Sequence, residues 1–357
     1  MKRLLPLLLA CALLLTGCSA MLERSYTAET VHNRAPEAEG DSSILRAEDY
    51  QDLVSAVYYF VSQGETAGTI RLYSYSADEV ERDLDAACLE VVQEDPLGAY
   101  AVDYIKYDCS HIVSYYEATL SISYRRTAEQ IASIVSATGS SAIRAELQEA
   151  LAGFRPELVL RISYFSEGTD IQALLEQAYY ATPAAAFGMP QAEISVYPDE
   201  GQQRIVEILL TYPMDTAQAA ALSQELTQRA QELADTYLLR PGTDYASAVA
   251  ALLHSQVTFD PQGAGTAYAA LIEERASSEG IALAALLLCR TGGVECQVVR
   301  GTLNGEPRFW NQLRVEGETL YLDACADSGL HTAQEMEERG YLQGMADAPE
   351  EGDAAEN

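Results

Sequence analysis

Three polar residues in the last third of the chain could bear on catalysis: Ser278, Arg308 and Asp323. Ser278 stands where an apolar helix begins, Arg308 lies on a predicted strand, and Asp323 closes the next strand. A serine hydroxyl attacks a carbonyl carbon only when a neighbouring base removes its proton. Arginine stays protonated at neutral pH, so Arg308 cannot be that base. These residues therefore lack a complete nucleophilic mechanism.

The elements that must position them are read from hydrophobic periodicity and turn residues. A buried helix is predicted from Ser278 through Cys289, where Ser278 (or Ser277) suits the N-cap and Glu279 the first turn. The pattern also predicts a preceding helix and three strands, over residues 245–254, 295–301, 308–315 and 319–323. Arg308 and Asp323 fall on adjacent predicted strands.

This region, roughly residues 240–345, resembles the bacterial transglutaminase-like domain, a papain-like α+β fold. The family signature is Cys-Glu-Gly-Tyr-Ala at the head of a buried helix, His-Ala-Trp-Asn on one strand and Asp-Pro-Thr on the next. The matching residues are Glu279, Gly280, Ala282, Trp310, Asn311 and Asp323. Thr266-Ala-Tyr268 and Glu338-Arg-Gly-Tyr341 resemble further family landmarks. The resemblance implies that Ser278 replaces the catalytic Cys and Arg308 the catalytic His, so that only Asp323 of the acting residues remains. Because the Asp323 carboxylate would otherwise lose its compensating partner, we predict that Arg308 and Asp323 form a partly buried ion pair between the two strands.

Two residues could in principle restore chemistry, and both are weak candidates. His331 lies eight residues beyond Asp323 and would have to fold back toward Ser278. Cys325 would act away from the helix end that activates a thiol. The resemblance also makes Glu279, Trp310 and Asn311 candidates to line a groove, although Trp310 is favoured as a core or groove-wall residue over a ligand contact.

The first residues, MKRLLPLLLACALLLTGCSA, indicate export. Lys2 and Arg3 precede an apolar run of 12 residues, shorter than the roughly 20 that span a bilayer. The run ends in Leu-Thr-Gly-Cys18, which resembles a bacterial lipobox. The resemblance implies that Cys18 carries lipid and anchors the chain to a membrane outside the cytoplasm; an ordinary signal peptide is the alternative.

The charge balance excludes one class of partner. The chain has 22 Lys and Arg against 54 Asp and Glu, a net charge of −32. Removal of Lys2 and Arg3 leaves 20 against 54, or −34. Such an acidic protein repels phosphate backbones, so we predict no nucleic-acid partner, and an anionic membrane surface also repels it. Membrane attachment is therefore predicted to rest on the lipid alone.

Five cysteines remain after the leader and the lipid site: Cys88, Cys109, Cys289, Cys296 and Cys325. An odd number leaves at least one thiol unpaired in an oxidising compartment. We predict buried free thiols for most of them, with a Cys88–Cys109 bridge as an alternative. Neither the cysteines nor the four scattered histidines have zinc-ligand spacing, and no cofactor is predicted.

The middle of the chain repeats itself. Tyr75 and Tyr164 are offset by 89 residues, Tyr107 and Tyr197 by 90, and Tyr124 and Tyr212 by 88, each pair closing a similar predicted strand. Helix-start signals follow at Ser76-Ala-Asp-Glu79 and Thr169-Asp-Ile-Gln172. The pattern predicts a β-α-β-β-α unit that occurs twice. A tyrosine row on an open sheet could stack sugars or peptides, but tyrosine also suits a half-buried pleat, and we favour that interpretation.

The predicted architecture is α+β: tandem β-α-β-β-α modules followed by the transglutaminase-like domain. The division comprises a signal peptide, a flexible tether, two modules, the C-terminal domain and an acidic tail, over residues 1–17, 18–45, 46–153, 154–240, 241–345 and 346–357. The function predicted is a lipid-anchored envelope protein whose degenerate domain binds a peptide or protein, or acts as a scaffold. An amidase, peptidase or transglutaminase with relocated residues is the alternative.

Overall fold

The computed structural model describes residues 36–39, 41–166, 168–237 and 243–344. The predicted signal peptide, Cys18 and the acidic tail lie outside these residues. Helices and several sheets make up the described chain, which confirms the predicted α+β class. The described residues divide into two compact units, one of those up to residue 124 apart from 99–101, the other of 99–101 and those from residue 125 onward.

The first unit contains a five-stranded sheet. Its strands are β1 (Glu37–Glu39), β2 (Asp41–Ala47), β3 (Ala67–Leu72), β4 (Val102–Ile112) and β5 (Tyr115–Tyr124), in the spatial order β1-β2-β3-β5-β4. Strands β2 and β3 are parallel because helix α1 (Tyr50–Ser62) connects them. Helix α2 (Ala77–Gln93) follows β3, and α3 (Pro96–Ala101) begins in this unit and ends in residues assigned to the second.

Close packing of α1 on the sheet depends on a glycine. A Cβ atom at Gly68 in β3 would lie 2.5 Å from the Phe60 ring of α1, so only glycine leaves room for that ring. Leu45, Ile70 and Leu120 from three neighbouring strands complete the buried face. Apolar residues alternating along each strand thus bury one face of the sheet under the helices.

The second unit begins with a four-stranded sheet of similar layout. Its strands are β6 (Val135–Ala137), β7 (Glu157–Ile162), β8 (Gln191–Tyr197) and β9 (Arg204–Thr211), in the order β6-β7-β9-β8. The accompanying helices are α4 (Ala128–Ala132), α5 (Ser140–Ala152), α6 (Ile171–Tyr180), a 3-10 turn (Pro183–Ala185) and α7 (Thr216–Tyr237). Helix α5 joins the parallel pair β6 and β7 as α1 joins β2 and β3.

Two tyrosines separated by 88 residues make the same contact in their respective sheets. The Tyr124 hydroxyl donates to the Glu65 carbonyl at 2.9 Å, just beyond the end of α1. The Tyr212 hydroxyl donates to the Arg155 carbonyl at 3.1 Å, just beyond the end of α5. Tyr124 is the last residue of β5, and Tyr212 directly follows β9. Each tyrosine therefore holds the segment that leads from a helix into the next strand.

The remainder of the second unit positions the candidate site. A second four-stranded sheet has the order β14-β13-β12-β15, and its strands are β12 (Glu295–Leu303), β13 (Glu306–Val315), β14 (Glu318–Leu322) and β15 (Tyr341–Gln343). A parallel pair, β10 (Thr258–Phe259) and β11 (Arg275–Ala276), lies apart from that sheet. The helices are α8 (Thr243–Gln256), α9 (Ala267–Leu271), α10 (Ser278–Thr291) and α11 (Ala333–Glu338).

Helix α10 is buried along nearly its whole length and belongs to a core that also contains residues of the preceding sheet. Leu160 of β7, Leu147 of the adjoining helix α5, and Leu283 and Leu286 of α10 lie in one cluster of buried side chains. Strand β6 and helix α5, which the predicted division places in the first module, pair and pack with β7. Among the described residues no helix is long and apolar enough to cross a membrane.

Two local predictions differ from the structure. Residues 37–39 and 41–45, predicted as part of a flexible tether, lie in β1 and β2, because backbone pairing with β3 and burial of Leu45 order them. Helix α6 starts at Ile171 with Asp170 as its N-cap, accepting from the Ala173 amide at 2.9 Å, rather than with Thr169. Aspartate and threonine both suit an N-cap, so their adjacency shifts the boundary by one residue.

Candidate functional site

Ser278 is the first residue of α10, as the sequence predicts, and Ser277 is its N-cap. Ser278 is 9% exposed, and its Oγ accepts a hydrogen bond from the Phe309 amide at 3.3 Å. The third residue of the helix must be glycine, because a Cβ at Gly280 would lie 2.7 Å from the Thr266 carbonyl oxygen. The helix start is thus pressed against neighbouring backbone, and Ser278 is held beside β13.

Arg308 and Asp323 form the predicted ion pair. Arg308 Nε lies 2.7 Å from Asp323 Oδ2, and the two side chains are only 10% and 2% exposed. Arg308 is on β13 and Asp323 directly follows β14, so register between adjacent strands brings them together. A buried carboxylate needs such compensation, since removal from water strongly disfavours an isolated charge.

Two further groups donate hydrogen bonds to the Asp323 carboxylate. The Tyr341 hydroxyl donates to Oδ2 at 2.7 Å, and the Cys325 amide donates to Oδ1 at 3.0 Å. Burial, followed by the neighbouring Asp323 charge, raises the pKa of Tyr341 well above its usual value. Tyr341 therefore remains a neutral donor at physiological pH, and it offers no base to Ser278.

The guanidinium of Arg308 remains a cation. Burial acts to lower its pKa, but the hydrogen bond and charge of Asp323 outweigh that effect and the pKa is raised. The guanidinium carbon also lies 4.6 Å from the centroid of the Phe259 ring, close enough for a cation–π interaction. Arg308 is consequently fixed on two sides and has no deprotonated form near neutral pH.

The two residues considered for restored chemistry are engaged elsewhere. Burial, then the Asp323 charge, raises the pKa of the Cys325 thiol far above its ordinary value, so that it stays protonated at pH 7. His331 Nε2 lies 2.9 Å from Asp327 Oδ1 and 2.7 Å from an Arg339 nitrogen. Within the described chain these contacts hold His331 in its own loop, not at Ser278.

The groove candidates are mostly interior. Trp310 is 3% exposed and packs edge-on against Tyr341 with ring centroids 5.3 Å apart. Asn311 is 1% exposed, and its Nδ2 donates to the Ala282 carbonyl at 2.9 Å. Burial leaves little of either side chain for a ligand to contact, so both position β13 against its neighbours.

Glu279 is the partly exposed member of that set. Its Oε1 accepts from the Tyr180 hydroxyl at 3.1 Å, and burial raises the pKa of the carboxyl above its ordinary value despite that hydrogen bond. Tyr180 in turn lies against Phe309, with ring centroids 5.7 Å apart. An aromatic pair and a carboxyl therefore flank the start of α10.

Local sequence gives no direct signal that Tyr341 or Phe259 belongs to the site. Tyr341 closes a segment that resembles a family landmark, and that resemblance is the available signal for its contact with Asp323. Phe259 lies on a two-residue strand, and no pattern in the local sequence predicts that this strand lies beside Arg308. In the described part of the chain, no group of three or more His, Cys, Asp or Glu side chains could hold a metal ion.

The chain matches no family model and no curated protein. Among solved structures it is similar to a TGase (14% identity, TM-score 0.26), covering 47% of this chain and 50% of that one. A candidate cysteine protease from Cytophaga hutchinsonii is 12% identical, with TM-score 0.27 and coverage of 43% and 65%. A candidate protease from Parabacteroides distasonis is 10% identical, with TM-score 0.23 and coverage of 72% and 39%. The chain therefore spans less than two thirds of each of these proteins, and the values are too low to carry an argument about activity.

Proposed function

We propose that this protein is a lipid-anchored component of a bacterial cell envelope whose transglutaminase-like domain has lost catalysis. In this proposal the degenerate domain binds a peptide or protein, or acts as a scaffold. The alternative is an active amidase or peptidase with relocated residues. The observation that carries the proposal is the buried contact between Arg308 and Asp323, 2.7 Å long, where the resembled family has an imidazole and its carboxylate.

The Arg308–Asp323 contact leaves the Ser278 hydroxyl without a group that could take its proton. An imidazole beside a carboxylate accepts a proton from a nucleophile and returns it later. A guanidinium in the same position has no free lone pair and keeps its charge. The Ser278 oxygen already accepts the Phe309 N–H at 3.3 Å, and neither Arg308 nor neutral Tyr341 can remove its proton. The alternative would require a base from elsewhere.

A turnover assay tests the loss of catalysis. The purified full chain is incubated with a glutamine peptide and a labelled primary amine, and both amine incorporation and ammonia release are measured. We expect no turnover above buffer. The matched variants are Ser278→Ala and Ser277→Ala. Turnover that Ser278→Ala abolishes and Ser277→Ala retains would contradict the proposal and support the alternative.

Lipid anchoring rests on Cys18 and its flanking sequence. Metabolic labelling with an alkyne-bearing palmitate should mark the exported chain, and Cys18→Ser should abolish the label. Cys11→Ser, which alters a cysteine inside the predicted leader, is the matched control and should retain it. Equal labelling of all three chains would exclude Cys18 as the lipid site.

Binding and scaffold roles differ at the exposed surface near Arg308. A photo-crosslinking phenylalanine analogue at Phe259, which is 36% exposed, tests for a partner held there. Tyr164, at 70% exposed, is the control position. Adducts in envelope preparations at position 259 alone would favour binding, whereas equal or absent adducts would favour the scaffold role.

A further inference from the structure

The cysteines of the described chain form no reactive pair. All five are free thiols and three of them are buried, as the sequence predicts for most, and the alternative bridge between Cys88 and Cys109 is not formed. An unused capacity to bind a ligand is found instead at the candidate site, on the side chain of Arg308.

Only one of the three guanidinium nitrogens of Arg308 is hydrogen-bonded within the described residues. Nε donates to Asp323 Oδ2 at 2.7 Å, and the two terminal nitrogens have no acceptor there. The enclosed side-chain atoms that lack a partner include Arg126 Nε but neither terminal nitrogen of Arg308. Both therefore reach solvent, although the residue is only 8% exposed. Four of the five guanidinium N–H donors are consequently available to a ligand.

The guanidinium lies close to the start of α10. Its carbon is 4.6 Å from the centroid of the Phe259 ring, and Phe259 pairs with Ala276, two residues before Ser278. On the other side, the amide of Phe309, the residue after Arg308, donates to Ser278 Oγ at 3.3 Å. A ligand on the terminal nitrogens of Arg308 would thus sit beside an aromatic ring and near the first turn of a helix.

That first turn also has unused donors. The N-cap residue Ser277 makes no capping hydrogen bond, and its hydroxyl donates to the Ala264 carbonyl at 3.4 Å instead. Among the described residues, the amides of Ser278 and Glu279 have no acceptor. Unpaired amides give the start of a helix a partial positive charge. The helix therefore adds to the attraction that Arg308 exerts on a negative group.

We propose that Arg308 binds the C-terminal carboxylate of a peptide, with its two terminal nitrogens donating to the two carboxylate oxygens. The planar fork of a guanidinium matches a carboxylate in this way. A single negative charge suits the site better than the double charge of a phosphate, because a chain of net charge −32 repels a dianion more strongly. This inference rests on the proposed function and names the ligand chemistry of the same site.

The Phe259 ring adds a preference for the last residue of the peptide. The ring is 36% exposed and lies against the guanidinium, so its open part offers apolar surface beside the bound carboxylate. An apolar last residue can cover that surface and remove it from water. We therefore expect a peptide that ends in a residue such as leucine to bind more tightly than a carboxylate without a side chain.

Titration of the purified full chain tests the inference. The ligands are acetyl-Ala-Ala-Leu with a free carboxylate, the same peptide with a C-terminal amide, and acetate. Calorimetry measures each affinity, and the fluorescence of Trp310 gives a second signal, since Trp310 is the only tryptophan of the chain and lies two residues from Arg308. The amide should bind about tenfold more weakly or worse, because it loses a charge-assisted contact.

Three results of the titration would overturn the inference. One is the absence of binding by the free-acid peptide. Another is equal affinity for acid and amide, which would mean that the site takes a neutral oxygen. The third is acetate binding as tightly as the peptide, which would mean that a small carboxylic acid is the ligand.

Variants assign the binding to Arg308. Arg308→Lys keeps a cation for Asp323 but removes the fork, and it should weaken the free-acid peptide by about tenfold. Arg300→Lys, at an exposed ion pair on β12, is the matched control and should bind normally. Phe259→Ala, at a more exposed position, should weaken the peptide but not acetate. Circular dichroism confirms that each variant is folded. Unchanged peptide affinity in Arg308→Lys, or in Phe259→Ala if Arg308→Lys does not fold, would overturn the inference.

The turnover assay with the glutamine peptide, run on the same preparation, separates this inference from the proposed function. If neither binding of the free-acid peptide nor turnover is found, the inference fails and the proposed loss of catalysis stands. Turnover that Ser278→Ala abolishes would overturn the proposed function, and this inference with it.

Discussion

The hydroxyl of Tyr341 donates a hydrogen bond to the Oδ2 atom of Asp323 at 2.7 Å, and the same oxygen accepts the Nε–H of Arg308 at 2.7 Å. With the Cys325 amide on the other oxygen, the carboxylate is bonded at both of its atoms. A carboxylate whose side chain is 2% exposed and accepts three hydrogen bonds functions as a structural anchor between strands. This arrangement predicts how the protein responds when one partner is removed.

Replacing Arg308 by alanine should destabilise the fold by about 3–5 kcal/mol, because the Asp323 carboxylate would remain buried without its counter-charge. Urea unfolding followed by circular dichroism measures the change. Arg300→Ala is the control, since the Arg300–Glu176 ion pair is 56% and 37% exposed and such pairs contribute at most about 1 kcal/mol.

The double variant Arg308→Ala with Asp323→Asn distinguishes a charge effect from a packing effect. Asparagine is neutral and leaves an oxygen for Tyr341 or for the Cys325 amide, so part of the lost stability should return. If Arg308→Ala unfolds at the same urea concentration as the unaltered chain, the ion pair does not stabilise the fold.

The contact of Tyr212 with the Arg155 carbonyl predicts a local effect. Tyr212→Phe should cost about 0.5–1.5 kcal/mol, the usual net value of one hydrogen bond. Amide hydrogen exchange should rise most in the segment from the end of α5 into β7, which this hydroxyl holds. Tyr164→Phe, at a position 70% exposed, should change neither measurement. Unchanged exchange around residue 155 in Tyr212→Phe would show that the hydrogen bond does not order that segment.

The Arg308–Asp323 contact was predictable because the resemblance places these residues at the family's His and Asp positions, and because a two-residue turn joins β13 to β14. Glu316 and Gly317 in that turn both have left-handed φ, at 53° and 87°, as a tight hairpin requires. This turn sets the register of β13 and β14, which brings the two side chains together. The start of α10 was predictable from local sequence, since residues of helix-capping type precede a long apolar run.

The contacts that escaped prediction are those made by short elements. Tyr341 lies on a three-residue strand that pairs with β12, and neither its length nor its flanks give a periodic signal. Strand β6 is equally short and pairs in parallel with β7, so no hairpin turn marks the pairing. Such elements are ordered by the sheet they join, and that information is absent from their own residues.

A salt bridge in the loop before α11 predicts acid sensitivity. Burial acts to raise the pKa of Asp327, but hydrogen bonds from His331 and Arg339 outweigh it and lower the pKa from 3.8 to about 2. A carboxyl whose pKa is lower in the folded state than in the unfolded chain stabilises the fold at pH values above the unfolded-state pKa. That contribution is lost as the pH falls through the folded-state pKa. The contribution of Asp327 should therefore be complete above about pH 4 and disappear toward pH 2.

Thermal melts at intervals from pH 5 to pH 2 measure this dependence. The unaltered chain should lose stability more steeply between pH 4 and pH 2 than Asp327→Asn, which cannot titrate at that position. Arg339→Met removes one of the two side-chain partners of Asp327, leaving His331 and the Gly329 amide, and should give an intermediate slope. Parallel curves for all three chains would show that the bridge makes no net contribution.

Cys325, the thiol beside the Asp323 carboxylate, should be unreactive in the folded chain. Its raised pKa follows from burial and from that negative charge, both of which disfavour the thiolate. Because the thiolate is the reactive form, an iodoacetamide probe at pH 7 should not label the folded chain at Cys325. Mass spectrometry of tryptic peptides locates any label, and a sample denatured before labelling gives the fully reactive reference. Labelling of the folded chain that Cys325→Ser removes would mean that this sulfur is both accessible and ionised, as the alternative enzyme requires. Absence of such labelling leaves the site around Asp323 without either a thiolate or a base.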